Sequence, residues 1–319
     1  MNILIAGLGA LGTVHACLLK KAGHRVHALI KEKHRDGLQD RTVRVTGIWG
    51  EHEAALDGLH SSIEPLRAEA FDLIILTVKS YDTAAAIEQA RPLVGRDTLV
   101  LVAQNGFGNY ETVAAAVGRE HTLLGRVIFG VKLHGPGRAE VTVIADATRI
   151  GQPDGAVSPE RIEAVADAVN SAGIPAAAAG NITAILWDKI LYNCALNPLG
   201  ALLECTYGQL AAHTESRALM DGIVREIFLA ANAHAIPLNW RTADDYLGHF
   251  YSRLVPPTAG HYPSMYYDMK AGKRLEIDAL NGAAVRLAKE KGLTAPVNEV
   301  VTRLIKAKES LSSARPPVR

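Results

Sequence analysis

Three glycines near the amino terminus limit what this chain can fold into. Gly7, Gly9 and Gly12 stand in the spacing G-x-G-x-x-G directly after an apolar run, Asn2 to Ala6, that suits a buried parallel strand. Leu11, Val14, Leu18 and Leu19 then recur at helical spacing, Gly23 ends that helix, and Arg25 to Ile30 reads as a second strand. Strand, glycine turn, helix and strand within about thirty residues is the context that a dinucleotide fingerprint requires. Gly7 permits the tight turn, Gly9 removes a side chain that would block a pyrophosphate, and Gly12 lets helix and strand pack closely. The helix N-terminus offers N–H groups and a partial positive charge to phosphates. A purely structural glycine turn is the alternative, and the complete β-α-β context weighs against it. Met1 to Leu19 carries no charge, but it lacks a basic leader, is broken by three glycines and contains His15, so neither a signal peptide nor a membrane helix is expected.

The tip of the second strand bears on the cofactor. An NAD site usually places an acidic residue about twenty positions after the glycines, to bind the ribose 2′-hydroxyl. Here that place is taken by Lys31, with Lys33 close by. A cation can pair with a 2′-phosphate, a charged hydrogen bond of roughly 1.5–3 kcal/mol, or about tenfold or more in affinity. The expectation is NADPH over NADH. Two alternatives remain: Lys31 caps a strand in solvent, or Glu32 takes the acidic role in a register shifted by one.

At 319 residues the chain can build two domains with sizeable cores. The 34 basic and 33 acidic residues nearly cancel, to a net +1, which gives no reason to expect nucleic acid or an acidic membrane surface as partner. Aromatic residues are only 5%, too few for a stacking platform. Cys17, Cys194 and Cys205 are odd in number and form no C-x-x-C pair, which fits a reducing cytoplasm and argues against a disulfide framework. The 12 histidines show no H-E-x-x-H spacing, so no metal site is expected.

After Lys31, Arg41–Trp49 reads as a strand of unassigned place, Phe71 to Val78 as a buried strand ending at Lys79, Thr83 to Leu93 as a helix, and Asp97 to Ala103 as a strand ending at Gln104-Asn105-Gly106. Alternating strands and helices indicate a parallel sheet with right-handed crossovers, and ligands on such sheets sit at the carboxyl ends of strands. Lys79 and Asn105 lie at such ends; each is either a ligand contact or a polar residue that opens a loop. Leu123 to Leu133 and Ala139 to Ile150, around Gly135-Pro136-Gly137, are expected to extend the sheet. Pro159 to Ala172 reads as a helix and Ile174 to Ala179 as a last strand. From Asn181 the pattern is helical: Ile182 to Asn197, Glu215 to His234, Asp244 to Leu254, Ile277 to Lys291 and Val297 to Lys308. The shift near 180 predicts a Rossmann-type domain over 1–179 and a helical domain over 180–319, with a frayed tail from Ser312 to Arg319.

Lys189, Asn193 and Asn197 recur every fourth residue, which on a helix sets them along one face, drifting about 40° and rising about 6 Å per step. Their neighbours are mostly apolar. They form either an exposed polar stripe or a set pointing into a cleft. Pro198 either kinks this helix or starts a new one with Asn197 as its cap. Glu276 opens a helical pattern, where a carboxylate favours the N-terminal dipole; Tyr262 to Lys270 has no clean period.

These stretches together resemble the ketopantoate reductase (2-dehydropantoate 2-reductase) family along nearly the whole chain. The matching residues are Gly7–Gly12, Gln104-Asn105-Gly106, Trp187-Asp188-Lys189 continuing to Asn193 and Asn197-Pro198-Leu199, His261 with Pro263-Ser264-Met265, Glu276-Ile277-Asp278 and Asn281-Gly282. The resemblance implies an α/β Rossmann-type amino-terminal domain, an all-α carboxyl-terminal domain like that of 6-phosphogluconate dehydrogenase, and NADPH-dependent reduction of a 2-oxo acid, usually 2-dehydropantoate to (R)-pantoate in coenzyme A synthesis. It implies Lys189 as proton donor; Asn193, Asn197 and Ser264 as substrate contacts; and Asn105 touching both substrate and cofactor. It also implies that Gly7, Leu8, Gly9, Ala10, Leu11, Gly12, Lys31, Lys79, Val131 and Glu276 meet the cofactor. In this picture an amine from the helical half reaches a nicotinamide held by the amino-terminal half. A monomer or a homodimer is compatible with it.

The chain departs from the family pattern at Tyr266-Tyr267, where Leu-Gln is frequent, at Leu275, where threonine is usual, and at Tyr207, where some members carry a substrate-binding asparagine. These changes leave open a paralogue acting on another branched or bulky 2-oxo acid. A non-catalytic NADPH sensor is the alternative of a different class.

Overall fold

In the computed structural model the described residues are 1–38 and 40–313; the side chains of Lys33, Ser312 and Ser313 also lie outside the description. The expected tail from Ser312 to Arg319 therefore falls almost wholly outside the described residues. The chain divides into two compact units, Met1–Ile182 and Thr183–Arg319.

In the first unit β1 (Asn2–Ala6), α1 (Ala10–Lys21) and β2 (Arg25–Leu29) form around the glycine turn. β3 (Thr42–Gly47), β4 (His52–Ala55), β5 (Gly58–His60), β6 (Leu73–Leu76), α2 (Thr83–Ala90), β7 (Leu99–Val102) and α3 (Asn109–Val117) follow. Then come β8 (Thr122–Arg126), β9 (Phe129–Gly135), β10 (Arg138–Ile144), β11 (Thr148–Gly151), α4 (Pro159–Ser171) and β12 (Ala176–Ala178). Among the described residues eight strands make one sheet in the order β12-β11-β8-β7-β6-β1-β2-β5. The strands from β5 to β8 are parallel, and β11 turns antiparallel to β8.

The strand sequences are apolar at consecutive positions because both faces are covered. Ile3, Ile5, Leu73, Ile75, Leu99 and Leu101 pack on one face with Val14 and Leu18 of α1 and Val165 and Val169 of α4. Leu4, Ala6, Ile74, Leu76, Val100 and Val102 pack on the other with Ile87 of α2 and Val113 of α3. The chain leaves β1 to β2 on one side and later returns to β6 on the other, so the strand order reverses at β1, where ligands of such sheets bind.

The segment around Gly135-Pro136-Gly137 corrects one expectation. β8 and β11 do join the large sheet, but the β9–β10 hairpin does not extend it. It pairs through β10 with β3 in a separate sheet, β4-β3-β10-β9. β3 shows why: Val43 and Val45 are buried, and Arg44 and Thr46 between and after them are exposed. Such alternation suits a sheet with one wet face, not a doubly covered one. The buried face, with Val43, Val45, Ala139 and Val141, joins the cluster of Val14 and Cys17 from α1.

The second unit is helical: α5 (Ile182–Leu203, whose first residue closes the first unit), α6 (Tyr207–Ala212), α7 (Thr214–Ala233), α8 (Ala243–His249), α9 (Ser264–Lys270), α10 (Asn281–Glu290) and α11 (Pro296–Ser313). Among the described residues no helix is long and apolar enough to cross a membrane.

α5 runs through Pro198, so Asn197 is not a helix cap. Proline has no N–H and therefore deprives the carbonyl four residues back, that of Cys194, of its helical donor. Asn281 supplies the replacement: its Nδ2 donates to the Cys194 carbonyl at 3.1 Å and to Asn298 Oδ1 at 3.0 Å. Asn298 Nδ2 in turn donates to the Ile223 carbonyl at 3.2 Å and to Glu226 at 2.8 Å. Both asparagines are fully buried. The stretch Asn281-Gly282 thus ties α5 to α7, α10 and α11. Asn281→Ala is expected to cost about 2–4 kcal/mol in urea unfolding, because two buried acceptors lose a donor. Pro198→Ala, which returns an N–H to α5, is expected to shrink that cost; equal penalties in both backgrounds would disconnect the two residues.

One further helical expectation is corrected. α10 begins at Asn281, not near Ile277: Ile277–Ala279 is a short 3₁₀ turn, and Leu280 breaks it at φ −109°, ψ −110°. Glu276 heads that turn rather than a long helix, so it has little helix dipole to meet. α9 forms over Ser264–Lys270 although only Met265 and Met269 are buried on it, a stripe too short to show as a period.

Candidate functional site

Each unit carries its own set of candidate residues. In Met1–Ile182 the parallel sheet places the carboxyl ends of β2, β1, β6 and β7 side by side, and these ends bear Lys31, the glycine turn, Lys79 and Asn105. Gly7 has φ +99°, a conformation that favours glycine, and its N–H donates to the Leu29 carbonyl at 2.9 Å. A Cβ on Gly12 would lie 1.9 Å from the Gly7 carbonyl oxygen. Thr77, just after β6, donates its hydroxyl to that same carbonyl at 2.5 Å and pins the turn.

Gly9 differs from its two companions. A Cβ there would meet nothing within 4 Å, so packing does not demand glycine. Gly9 is the N-cap of α1, no side chain caps the helix, and its first turn holds no acidic residue. Open space beside uncapped N–H groups with no opposing charge fits a pyrophosphate, and hence a dinucleotide laid across the end of β1. Leu8 is buried, and Ala10 and Leu11 begin α1.

Asn105 and Lys79 are half-buried. A buried polar relay that the sequence did not announce holds their loops. Gln104 Nε2 donates to the Val78 carbonyl at 3.0 Å and to Thr83 Oγ1 at 2.6 Å. Thr83 donates to Asn109 Oδ1 at 2.8 Å, and Asn109 Nδ2 donates to the Asn105 carbonyl at 2.8 Å. The relay ties the Asn105 carbonyl to that of Val78, the residue before Lys79. Val131 stands apart from this row, in β9 of the second sheet, half-buried opposite Val141.

Lys31 is exposed, and its Nζ pairs with Asp82 Oδ2 at 2.7 Å. Glu32 pairs instead with Arg35, at 3.9 Å. Nothing in the sequence marked Asp82, which ends the 3₁₀ turn Ser80–Asp82 just before α2.

In Thr183–Arg319 the three polar residues of α5 do not form an exposed stripe. Lys189 and Asn193 are half-buried, and Asn197 is 6% exposed. Leu186, Trp187, Ile190, Leu191, Cys194 and Leu196 around them are buried. Asp188 anchors this stretch, accepting from Asn239 at 2.7 Å and from the Trp240 indole at 2.9 Å.

Tyr207 donates its hydroxyl to Asn197 Oδ1 at 2.8 Å. Burial pushes the Tyr207 phenol well up from its ordinary pKa, and that of Tyr192, ring to ring with it at 5.8 Å, up to about 12. Tyr207 therefore stays a neutral donor, and the bond orients the carboxamide: its oxygen is occupied, and its NH₂ remains as the donating end. The departure at Tyr207 thus acts on a candidate substrate residue. The backbone N–H of Tyr207 donates to the His261 carbonyl at 3.0 Å, and Pro263 packs against Gly200 of α5, with 2.8 Å from its Cγ to where a Cβ would stand. These contacts bring the His261–Ser264 segment to α5; Ser264 opens α9 and is exposed. Glu276 is half-buried, and the neighbouring Leu275 N–H donates to Glu309 of α11 at 3.0 Å. Tyr266, half-buried, stacks on Tyr262 with centroids 4.8 Å apart.

Known proteins resemble this chain in sequence and fold. Residues 3–155 match the family model of ketopantoate reductase PanE/ApbA, and residues 181–309 that of its C terminal part. A 2-dehydropantoate 2-reductase of Aquifex aeolicus is 41% identical over 309 residues, 97% of each chain. Another from Pyrococcus horikoshii is 32% identical over 98% of each. Among solved structures, D-mandelate dehydrogenase with NADH and anilino(oxo)acetate superimposes with a TM-score of 0.87 at 27% identity, covering 99% of this chain and 100% of its own. With both family models matched in order and a full-length relative at that identity, the chain belongs to the ketopantoate reductase family of oxidoreductases, which joins a Rossmann-type domain to a helical one.

Proposed function

We propose that this protein reduces 2-dehydropantoate to (R)-pantoate with NADPH, a step of coenzyme A synthesis in the cytoplasm, and that Lys189 donates the proton. One observation carries the reading: α5 sets Lys189, Asn193 and Asn197 every fourth residue among mostly apolar neighbours, with Asn197 buried and already oriented by Tyr207. The 2-dehydropantoate 2-reductase of Aquifex aeolicus, 41% identical, supports the substrate.

When bound, NADPH supplies the hydride that reduces C2 of the 2-oxo acid. The residues do the rest. Lys189 stabilises the negative charge that develops on the carbonyl oxygen and gives it a proton. Asn193, Asn197 and Ser264 orient the acid through neutral donors. Asn105 touches both substrate and cofactor, and Glu276 lies near them. Gly7, Leu8, Gly9, Ala10, Leu11 and Gly12 hold the pyrophosphate through backbone N–H groups, Val131 meets the cofactor through its backbone, and Lys31 and Lys79 face its phosphates.

A second reading has its own support. Tyr207, Tyr266, Tyr267 and Leu275 all depart from the family pattern, and D-mandelate dehydrogenase, whose substrate carries a phenyl ring, is a full-length structural neighbour. Steady-state oxidation of NADPH over a panel of 2-oxo acids separates the two. 2-Dehydropantoate is expected to exceed 2-oxo-2-phenylacetate in kcat/KM by about a hundredfold or more, since a pocket that hydrogen-bonds its substrate rejects analogues lacking those groups. The reverse order would establish the aromatic acid; no turnover with any would point to an NADPH sensor.

A further inference from the structure

We propose that Asp82 sets how strongly this protein prefers a cofactor bearing a 2′-phosphate, by holding the Lys31 ammonium in an ion pair that the phosphate must break. The inference rests on the reading that Lys31 faces that phosphate. Lys31 follows β2 and Asp82 follows β6, and both strands flank β1. Neighbouring strands are about 4.8 Å apart, so the pair spans about 10 Å of sheet across the carboxyl end of β1, where the glycine turn lies.

Asp82 closes the 3₁₀ turn Ser80–Asp82 that leads into α2, with φ −100° and ψ −2°, so its side chain is not committed to capping that helix. Its carboxylate reaches Lys31, at 2.7 Å. Both side chains remain partly open to solvent, 57% for the lysine and 30% for the aspartate, so a ligand has access to either. A phosphate arriving at Lys31 meets a carboxylate of its own sign within a few ångströms. It must displace Asp82 or bind beside it, and either lowers its affinity. A 2′-hydroxyl has the opposite need, an acceptor, and Asp82 offers one. The same carboxylate thus taxes NADPH and assists NADH. Because exposed pairs are weak, the tax is a modest factor and not a barrier.

Binding without turnover tests this. NADPH and NADH are titrated by cofactor fluorescence into the full chain, with no 2-oxo acid present, for the wild type, Asp82→Asn, Asp82→Ala and Lys31→Ala. Both Asp82 variants are expected to raise the ratio of the NADH Kd to the NADPH Kd about three- to tenfold, and Lys31→Ala to lower it by at least as much. The two aspartate variants guard against a local rearrangement in either one. A ratio that falls with Lys31→Ala but stays or falls with both Asp82 variants would overturn the role of Asp82 and leave the cofactor reading standing. A ratio unmoved by Lys31→Ala, or no binding of either cofactor, would overturn the cofactor reading itself.

Discussion

Lys189→Ala is expected to lower kcat by about 10²–10⁴-fold while NADPH binding is retained, since a positioned acid contributes on that scale. In the proposed reaction this amine meets charge that exists only as the hydride arrives, so its loss falls on kcat and not on cofactor affinity. The substitution is tolerable for the fold. Lys189 is half-buried, alanine favours the helix, and the bonds of Asp188 to Asn239 and Trp240 in the same turn of α5 are left in place. Stopped-flow turnover and cofactor fluorescence on the same preparation read both quantities. Wild-type kcat would remove Lys189 from the mechanism; lost NADPH affinity would move it into cofactor binding.

Gly12→Ala and Gly9→Ala are expected to fail in opposite ways. An alanine at Gly12 drives its Cβ to 1.9 Å from the Gly7 carbonyl oxygen and 2.7 Å from Thr77 Oγ1. An ordinary contact is about 3.3 Å, so α1 must lift from β1, and both the Thr77–Gly7 bond and the Val14 and Leu18 packing suffer. Fingerprints of this kind often accept alanine at the third position; here the backbone oxygen forbids it. The expected cost is about 4 kcal/mol, at the upper end for a single substitution, read as a fall in Tm of roughly 10 °C. Gly9→Ala meets open space and has φ −78°, so its Tm should stay close to that of the wild type. Its methyl enters the space assigned to the pyrophosphate, and cofactor affinity should fall about tenfold or more. A Gly9→Ala protein that binds NADPH normally would sink that placement; a Gly12→Ala protein of normal Tm would show that α1 can shift freely.

What the chain itself determined is what local periodicity encodes. The glycine spacing, the apolar runs of β1, β6 and β7, and the four-residue recurrence of Lys189, Asn193 and Asn197 belong to single elements or to adjacent ones, so a window of a few turns contains them. The helical domain was legible for the same reason. Tertiary structure alone decided the rest, because each case joins residues distant in sequence. β3 finds β10 nearly a hundred residues later, and so the hairpin leaves the main sheet. Asn281 bonds the Cys194 carbonyl, 87 positions before it, that Pro198 orphans, and α5 continues past the proline instead of ending there. Asp82 reaches Lys31 across β1, and Tyr207 turns the Asn197 carboxamide. A hydrogen-bond partner or a counter-charge is a property of three-dimensional neighbourhood, and residue spacing along the chain carries no trace of it.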